Sequence, residues 1–225
     1  MTVQPEGPYL LGGWSLGGVI AYEMAQQLVA QGQSVGQLLL LDAGPRGPSE
    51  EDIGEHEDHL EHEEPARMDD ALMLVGFFQG DLPVSEEDLK PFEGDERIDY
   101  VLKKAISMNL APPGIEVAQA HSVLKMARAN KKAMNNYKAQ AYPGAVTLFK
   151  TAGKASMPHS VGPEFNEEMM KRIQDPTMGW GELAAGGVRV IDVPGDHGTM
   201  VRNPYVETLA VRIKECLNGA ETLGS

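Results

Sequence analysis

The feature that most constrains the fold is the glycine-rich hexapeptide GWSLGG at Gly13–Gly18, which lies between two different sequence periodicities. The apolar run Tyr9–Leu11 before it is typical of a strand, and the residues after it repeat apolar side chains at helical spacing. A serine on such a strand-to-helix turn has a strained backbone, and small residues on either side of it prevent clashes. The pattern therefore predicts that Ser15 presents its hydroxyl beyond the end of a strand as a nucleophile.

A nucleophilic serine attacks the carbon of a carbonyl group, and the same turn aims a backbone N–H at the oxygen of that group. In this chain that donor is the N–H of Leu16, which would stabilise the negative charge that develops on the oxygen. The N-terminus of the following helix adds a favourable dipole at the same point. We therefore predict that Leu16 is an oxyanion donor.

A nucleophilic serine also needs a base and a carboxylate that orients the base. The apolar run Leu38–Leu41 suits a strand buried on both faces, and Asp42 follows it directly. The run Val188–Val193 predicts a later strand, and His197 lies in the loop after it. Ser15, Asp42 and His197 therefore occur in the order nucleophile, acid, base that is typical of α/β-hydrolases.

Other titratable residues fit these roles less well. Asp192 lies within a predicted strand, and Asp196 adjoins His197, which makes a bond to the imidazole Nδ1 awkward. His121 and His159 fall in a predicted helix and a loop that do not follow a strand. We therefore predict that Ser15, Asp42 and His197 are the catalytic residues.

At these residues the chain resembles the thioesterase domain that ends many polyketide synthases and nonribosomal peptide synthetases. The matching segments are Gly7–Gly18, Leu39–Asp42, Tyr142–Gly144 and Gly195–Met200. The resemblance extends to about residue 217. It implies the α/β class, with the C-terminal part of an α/β-hydrolase-type parallel sheet and a large helical lid insertion.

The resemblance also implies an activity. A thioesterase of this family releases an acyl chain, polyketide or peptide, from the phosphopantetheine arm of a carrier protein through an acyl-serine intermediate, by hydrolysis or macrocyclisation. The implied partners are an acyl or peptidyl carrier protein and the upstream synthase modules. No cofactor and no metal are expected, since the arm that carries the substrate belongs to the partner.

Family members have a front portion before the nucleophile strand, whereas here the serine is residue 15. We therefore expect a missing N-terminal segment, which would also supply the second oxyanion N–H. The chain would then be a fragment, a sequence with a miscalled start, or one piece of a split protein. An alternative is that this chain is an inactive fragment that exposes an apolar strand edge.

The chain divides into four predicted parts. Residues 1–45 form the first part of the core, with the nucleophile elbow (the turn at Ser15), the helix after it and the strand that ends at Asp42. A helical lid insertion follows at 46–144, the rest of the core with the catalytic His197 loop at 145–217, and a tail at 218–225. About a hundred residues between two strands is far longer than an ordinary crossover. Helical patterns fill it at 68–79, 85–90, 95–107 and 117–138.

Two features of the insertion suggest contacts with a substrate or its carrier. A first set of apolar residues would either face an acyl chain or pack the lid onto the body of the domain: Met68, Met73, Leu74, Phe77 and Phe78. The second is the basic helix at 117–138, which would either attract the phosphodiester of a phosphopantetheine arm or be an ordinary solvated face. Its cations are Lys125, Arg128, Lys131, Lys132 and Lys138.

Composition limits the partners and the compartment. The net charge of −14 argues against a nucleic-acid partner, and no apolar stretch or leader pattern indicates a membrane. The single cysteine, Cys216, fits a reducing compartment, so we expect a cytoplasmic protein with this thiol buried in the last helix. The acidic run 49–64 contains His56, His59 and His62, which would form either a metal surface or, as we favour, a solvated loop.

A carboxylesterase or lipase on the same fold is the alternative enzyme. Such enzymes share the nucleophile elbow but typically place the acid one strand later, which here is near 150–155. Residues Thr151–Ala155 contain no carboxylate. The position of Asp42 therefore favours the thioesterase arrangement.

Overall fold

The structure is a computed structural model, and it describes residues 4–45, 69–78, 80–151 and 174–221. These residues fall into two compact units. The first unit contains 4–45, 137–151 and 174–221, and the second contains 69–78 and 80–136. Residues 137–144, which the sequence places in the insertion, thus group with the core.

Four parallel strands form the sheet of the first unit, in the order β1 (Tyr9–Trp14), β2 (Val35–Leu41), β3 (Val146–Thr151), β4 (Val188–Val193). Parallel neighbours need long crossovers, which commonly contain helices that cover the sheet. Helix α1 (Leu16–Ala30) connects β1 to β2, and the last helix of the chain, α6 (Tyr205–Glu221), follows β4. The predicted α/β class with a parallel sheet is confirmed.

The apolar run in β2 contributes to two separate cores because successive side chains of a strand point to opposite faces. Leu38 and Leu40 join one cluster, and Leu39 joins another. The first cluster includes Ala21, Tyr22 and Ala25 of α1 with Leu148 and Trp180, and the second includes Phe149, Val193, Leu209 and Cys216. Each fully buried leucine contributes roughly 1.5–3 kcal/mol of burial free energy. The predicted burial of Cys216 is confirmed.

Strand β1 lies at one edge of the described sheet, where it pairs with β2. Large apolar side chains of β1 and of the helix that follows it are exposed to solvent, with Leu10 of β1 59% exposed and Ile20 of α1 52% exposed. Met24, one turn further along α1, is 47% exposed. Such a surface is one to which further protein can be added.

The second unit contains four helices: α2 (Asp70–Gly76), α3 (Glu86–Leu89), α4 (Asp95–Ser107) and α5 (Val117–Asn136). The side chain of Asp69 caps α2 by accepting a hydrogen bond from the N–H of Ala71, and Ser85 and Asp88 form a capping box on α3. The unit has its own apolar core, which includes Leu74, Leu89, Ile98, Val101, Leu102 and Leu124.

This core accounts for most of the apolar residues proposed for substrate contact. Leu74 is buried in it, and Met73 and Phe78 pack against it. Phe77 is 41% exposed, and Met68 lies outside the described residues. Met73, Leu74 and Phe78 therefore take part in packing within the second unit, and a contact of this set with an acyl chain or with the body of the domain stays a prediction.

Two further expectations from the sequence concern metal binding and membrane-spanning helices. His56, His59 and His62 lie outside the described residues, and no metal-binding group of side chains occurs within the described ranges. Of the helices that the structure describes, none has the length and apolar character to cross a membrane.

Candidate active site

Ser15 occupies a sharp turn between β1 and α1. Its backbone has φ 55° and ψ −124°, a conformation that costs a non-glycine residue about 1–3 kcal/mol. Two backbone hydrogen bonds hold it there, from the N–H of Ser15 to the carbonyl of Leu41 at 3.0 Å and from the N–H of Gly18 to the carbonyl of Ser15 at 2.9 Å. The strained turn predicted from the motif is thus fixed to the end of β2.

The glycines around the serine differ in what they do. A Cβ on Gly13 would lie 2.1 Å from the carbonyl oxygen of Gly17, and a Cβ on Gly18 would lie 2.5 Å from the Cβ of Ala43. A Cβ on Gly17 would meet nothing within 4 Å. The close approach of chain segments therefore requires glycine at 13 and 18 but not at 17.

The structure brings the three predicted catalytic residues together. His197 Nε2 lies 3.0 Å from Ser15 Oγ, and His197 Nδ1 lies 2.8 Å from Asp42 Oδ2. Both distances are hydrogen bonds, so one imidazole connects the hydroxyl to the carboxylate. This arrangement of nucleophile, base and orienting acid is the geometry of serine acyl transfer.

Asp42 follows β2 with a left-handed backbone of φ 47°. Thr151, the last residue of β3, donates to Asp42 Oδ1 from its N–H and from its hydroxyl, each at 3.2 Å. Burial raises the pKa of Asp42, but the hydrogen bonds from His197 and Thr151 outweigh it and hold the pKa below its ordinary value. The carboxylate is therefore charged at neutral pH.

Leu16 is the first residue of α1. The N–H groups of a helix's first turn have no partner within the helix. The backbone N–H of Leu16 is therefore available for an acceptor outside the helix, and its role as oxyanion donor stays a prediction.

The loop that carries His197 is organised by Asp196. The Asp196 carboxylate accepts hydrogen bonds from the N–H of Gly198 at 3.0 Å and from the N–H of Thr199 at 2.9 Å. The hydrogen bond from the Thr199 N–H outweighs a smaller burial effect and lowers the pKa of Asp196. Asp196 therefore holds the loop, and the carboxylate that reaches the imidazole is Asp42.

The weaker candidates lie elsewhere. Asp192 is an exposed residue of β4, and His121 on α5 lies 2.8 Å from Asp95 in the second unit. His159 is outside the described residues.

Sequence reasoning missed two residues that touch the site. Trp14 donates from its indole N–H to the backbone carbonyl of His197 at 3.0 Å and stacks on the imidazole. Thr151 donates two hydrogen bonds to Asp42, although a threonine at the end of a strand carries no sequence signal for such a role. Neither contact follows from a local pattern, because both join residues more than 100 positions apart.

The parallel sheet, the strained serine turn and the connected side chains define a serine hydrolase of the α/β-hydrolase class. The chain matches the family described as Thioesterase domain over residues 1–216. The chain therefore belongs to the thioesterase domain family.

Its relatives include two large synthases. The chain is 27% identical to a non-reducing polyketide synthase of Pseudevernia furfuracea, over 93% of this chain and 9% of that protein. It is 25% identical to the chondramide synthase of Chondromyces crocatus, over 94% of this chain and 5% of that protein. The chain thus corresponds to a small part of multidomain synthases.

Solved structures agree on the fold. A four-domain nonribosomal peptide synthetase bound to AMP and glycine superposes with a TM-score of 0.66 at 27% identity, over 96% of this chain and 15% of that chain. The NocB thioesterase domain, in covalent complex with a fluorophosphonate nocardicin G analogue, superposes with a TM-score of 0.52 at 22% identity, over 96% of this chain and 68% of that chain.

Proposed function

We propose that the chain is a thioesterase that releases an acyl chain, polyketide or peptide, from the phosphopantetheine arm of a carrier protein. The observation that supports this most directly is the pair of hydrogen bonds from His197 to Ser15 and Asp42, at 3.0 and 2.8 Å. Membership of the thioesterase domain family and relatives that are synthases support the choice of substrate.

The proposed reaction begins at Ser15. His197 Nε2 takes the hydroxyl proton while the oxygen attacks the thioester carbonyl, and the charged Asp42 stabilises the imidazolium that forms. The N–H of Leu16 donates to the oxygen of the tetrahedral intermediate. The thiolate of the arm then leaves and takes the proton from His197, and an acyl-serine remains.

The second half of the reaction uses the same groups. Water, or a hydroxyl or amine of the acyl chain itself, gives its proton to His197 Nε2 and attacks the acyl-serine carbonyl. Ser15 leaves with that proton, and the product is an acid, a lactone or a lactam. The nucleophile, base and acid all belong to the chain, so we expect the reaction to need no cofactor.

Partners and compartment follow from the same proposal. A carrier protein and the upstream modules of a synthase deliver the substrate, and relatives in which this region is a small part of a longer chain support this. The single cysteine supports a cytoplasmic location.

The test is covalent labelling of the intact chain by a fluorophosphonate, measured as a mass shift. We expect one adduct in the chain as given, none in Ser15→Ala, and a rate reduced by about three orders of magnitude or more in His197→Gln. A labelled Ser15→Ala chain would contradict the assignment of the nucleophile. A cooperatively folded chain that takes no label would contradict autonomous activity and favour the inactive fragment.

A second measurement separates the two enzyme classes. A thioester and an oxygen ester of the same short acyl group are compared by kcat/KM. For a thioesterase, we expect the ratio of kcat/KM for the thioester to kcat/KM for the oxygen ester to exceed the ratio of the two spontaneous hydrolysis rates. The reverse preference would favour the carboxylesterase or lipase.

A further inference from the structure

Ser15, His197 and Asp42 form a catalytic triad, and the side chain of its base, His197, is partly open to solvent. The side chain of His197 is 45% exposed, whereas that of Asp42 is 10% exposed. His197 lies in the loop between β4 and α6, so it does not belong to a helix or strand whose regular hydrogen bonds would hold its backbone. Its orientation therefore depends on a small number of specific contacts.

One of those contacts is temporary. In the free chain, Asp42 holds Nδ1 of the imidazole and Ser15 holds Nε2. Once Ser15 is acylated its oxygen has no proton to donate, and the hydrogen bond to Nε2 is lost. During the second half of the reaction, a different contact must keep the ring in position to activate the incoming nucleophile.

Trp14 supplies two contacts to the same residue. Its indole N–H donates to the His197 carbonyl at 3.0 Å, and its ring stacks on the imidazole with a centroid distance of 5.1 Å and an interplanar angle of 28°. The first contact fixes the backbone of the loop and the second fixes the plane of the ring.

Because Trp14 is adjacent to Ser15, it joins the nucleophile turn directly to the base across 183 residues of sequence. Neither contact involves the Ser15 hydroxyl, so both persist when the serine is acylated. We propose that Trp14 is a positioning residue that keeps His197 in place in the acyl-serine intermediate, and that it acts mainly on deacylation. This inference rests on the acyl-serine mechanism proposed above.

The proposal predicts a particular kinetic pattern. When deacylation limits turnover, slowing it lowers kcat and KM together and leaves kcat/KM, which reports acylation, unchanged. The experiment measures an activated aryl ester, which gives a burst of phenol followed by a slower steady state. In Trp14→Leu we expect kcat to fall about tenfold or more while kcat/KM stays within about threefold. Trp14→Phe keeps the ring but loses the N–H, and we expect an intermediate decrease.

A matched control separates positioning from a general loss of structure. Tyr22 also donates from an aromatic side chain to a backbone carbonyl, that of Gln140 at 2.8 Å. Among the described residues, its hydrogen bonds and ring contacts do not include Ser15, Asp42 or His197. Tyr22→Phe removes that bond, and we expect kcat and KM to remain those of the unsubstituted chain. Equal losses of kcat and kcat/KM in Trp14→Leu, or no loss, would overturn the proposal.

A second readout needs no turnover. The chain has two tryptophans, and a side chain stacked on an indole changes the environment that sets the fluorescence of that indole. At one fixed pH we expect the emission spectrum of His197→Gln to differ from that of the unsubstituted chain, and we expect the same His197→Gln change to leave the emission of Trp14→Phe unaltered. Identical emission from the unsubstituted chain and His197→Gln would overturn the stacking. Loss of the burst in the unsubstituted chain, with this fluorescence difference retained, would count against the proposed function alone.

Discussion

Thr151 donates two hydrogen bonds to one oxygen of the Asp42 carboxylate, while the other oxygen accepts from His197. The two donors are the N–H and the hydroxyl of the last residue of β3, each at 3.2 Å. The carboxylate is therefore held from the neighbouring strand, at the level of the sheet where related esterases are expected to carry the acid itself. Thr151 supports the acid rather than replacing it.

Thr151→Val tests this support, because valine keeps the shape and the N–H but removes the hydroxyl. The loss of a hydrogen bond to a charged group costs about 1.5–3 kcal/mol when it leaves a buried acceptor without a partner. Here the N–H of residue 151 still donates to Asp42. We therefore expect fluorophosphonate labelling to slow only about three- to tenfold. Thr147→Val, on the same strand, is the matched control and should label at the unsubstituted rate. A full labelling rate in Thr151→Val would show that the hydroxyl is dispensable.

Acid unfolding provides an independent test of Asp42. Its pKa is lowered in the folded state, so its contribution to the free energy of unfolding is present above the pKa of the unfolded chain, about 3.9. That contribution is lost as the pH falls through the lower folded pKa. We therefore expect the difference in stability between the unsubstituted chain and Asp42→Asn to be larger near pH 6 than near pH 3, as measured by urea unfolding.

The sign of that difference is decisive. A folded pKa above the unfolded value would make the contribution of the carboxylate grow on acidification. A gap between the two chains that widens from pH 6 to pH 3 would therefore contradict the hydrogen bonds assigned to Asp42. Asp192→Asn, an exposed change on β4, is the matched control and should follow the unsubstituted chain.

The sequence was sufficient for the parts of the site that have local signals. Ser15 has a turn motif, Asp42 ends an apolar strand, and the loop of His197 follows another strand, so each could be placed before the structure. The contacts of Trp14 and Thr151 could not, because no periodicity relates residues 183 or 109 positions apart.

The core shows the same limit. The apolar run of β2 predicted a strand buried on both faces, and the structure agrees. Trp180 had no such signal, because it lies in a single 3₁₀ turn between strands. Its indole N–H donates at 2.6 Å to the carbonyl of Ala43, the residue after Asp42. Packing in three dimensions, rather than local preference, selected this contact.

The two glycines nearest the serine in the GxSxG motif predict opposite mutational effects. A Cβ on Gly13 would lie 2.1 Å from the Gly17 carbonyl, so Gly13→Ala must shift the turn and we expect it to abolish labelling. Gly17 lies in α1 with open space around its Cα, so Gly17→Ala should stabilise the helix by about 0.5–1 kcal/mol and retain labelling. Thermal unfolding and labelling rates check both variants, and the reverse order would contradict the turn geometry.

The charges of the chain are unevenly distributed, which bears on the proposed partner. The chain has 33 acidic and 19 basic residues, yet residues 117–151 contain no Asp or Glu. On α5, the exposed Lys125, Lys131 and Lys132 form no ion pair with any residue that the structure describes. The side chain of Met126, between them, is 58% exposed. The exposed surface of α5 is therefore cationic and partly apolar on an acidic protein, and it complements an anionic, phosphodiester-bearing partner.

Replacing the three lysines by glutamate should therefore slow the release of an acyl group from a carrier protein more than its release from a small thiol. We expect kcat/KM for an acyl group on a carrier protein to fall about tenfold or more at low salt, with a smaller loss at high salt because ions screen exposed charges. The same acyl group on a small thiol bears no phosphodiester, so its kcat/KM should not change. The matched control reverses three exposed cations elsewhere that also form no ion pair with a described residue, Lys104, Arg189 and Lys214, which gives the same net charge. Equal losses in both triple variants would assign the effect to net charge and contradict recognition by α5.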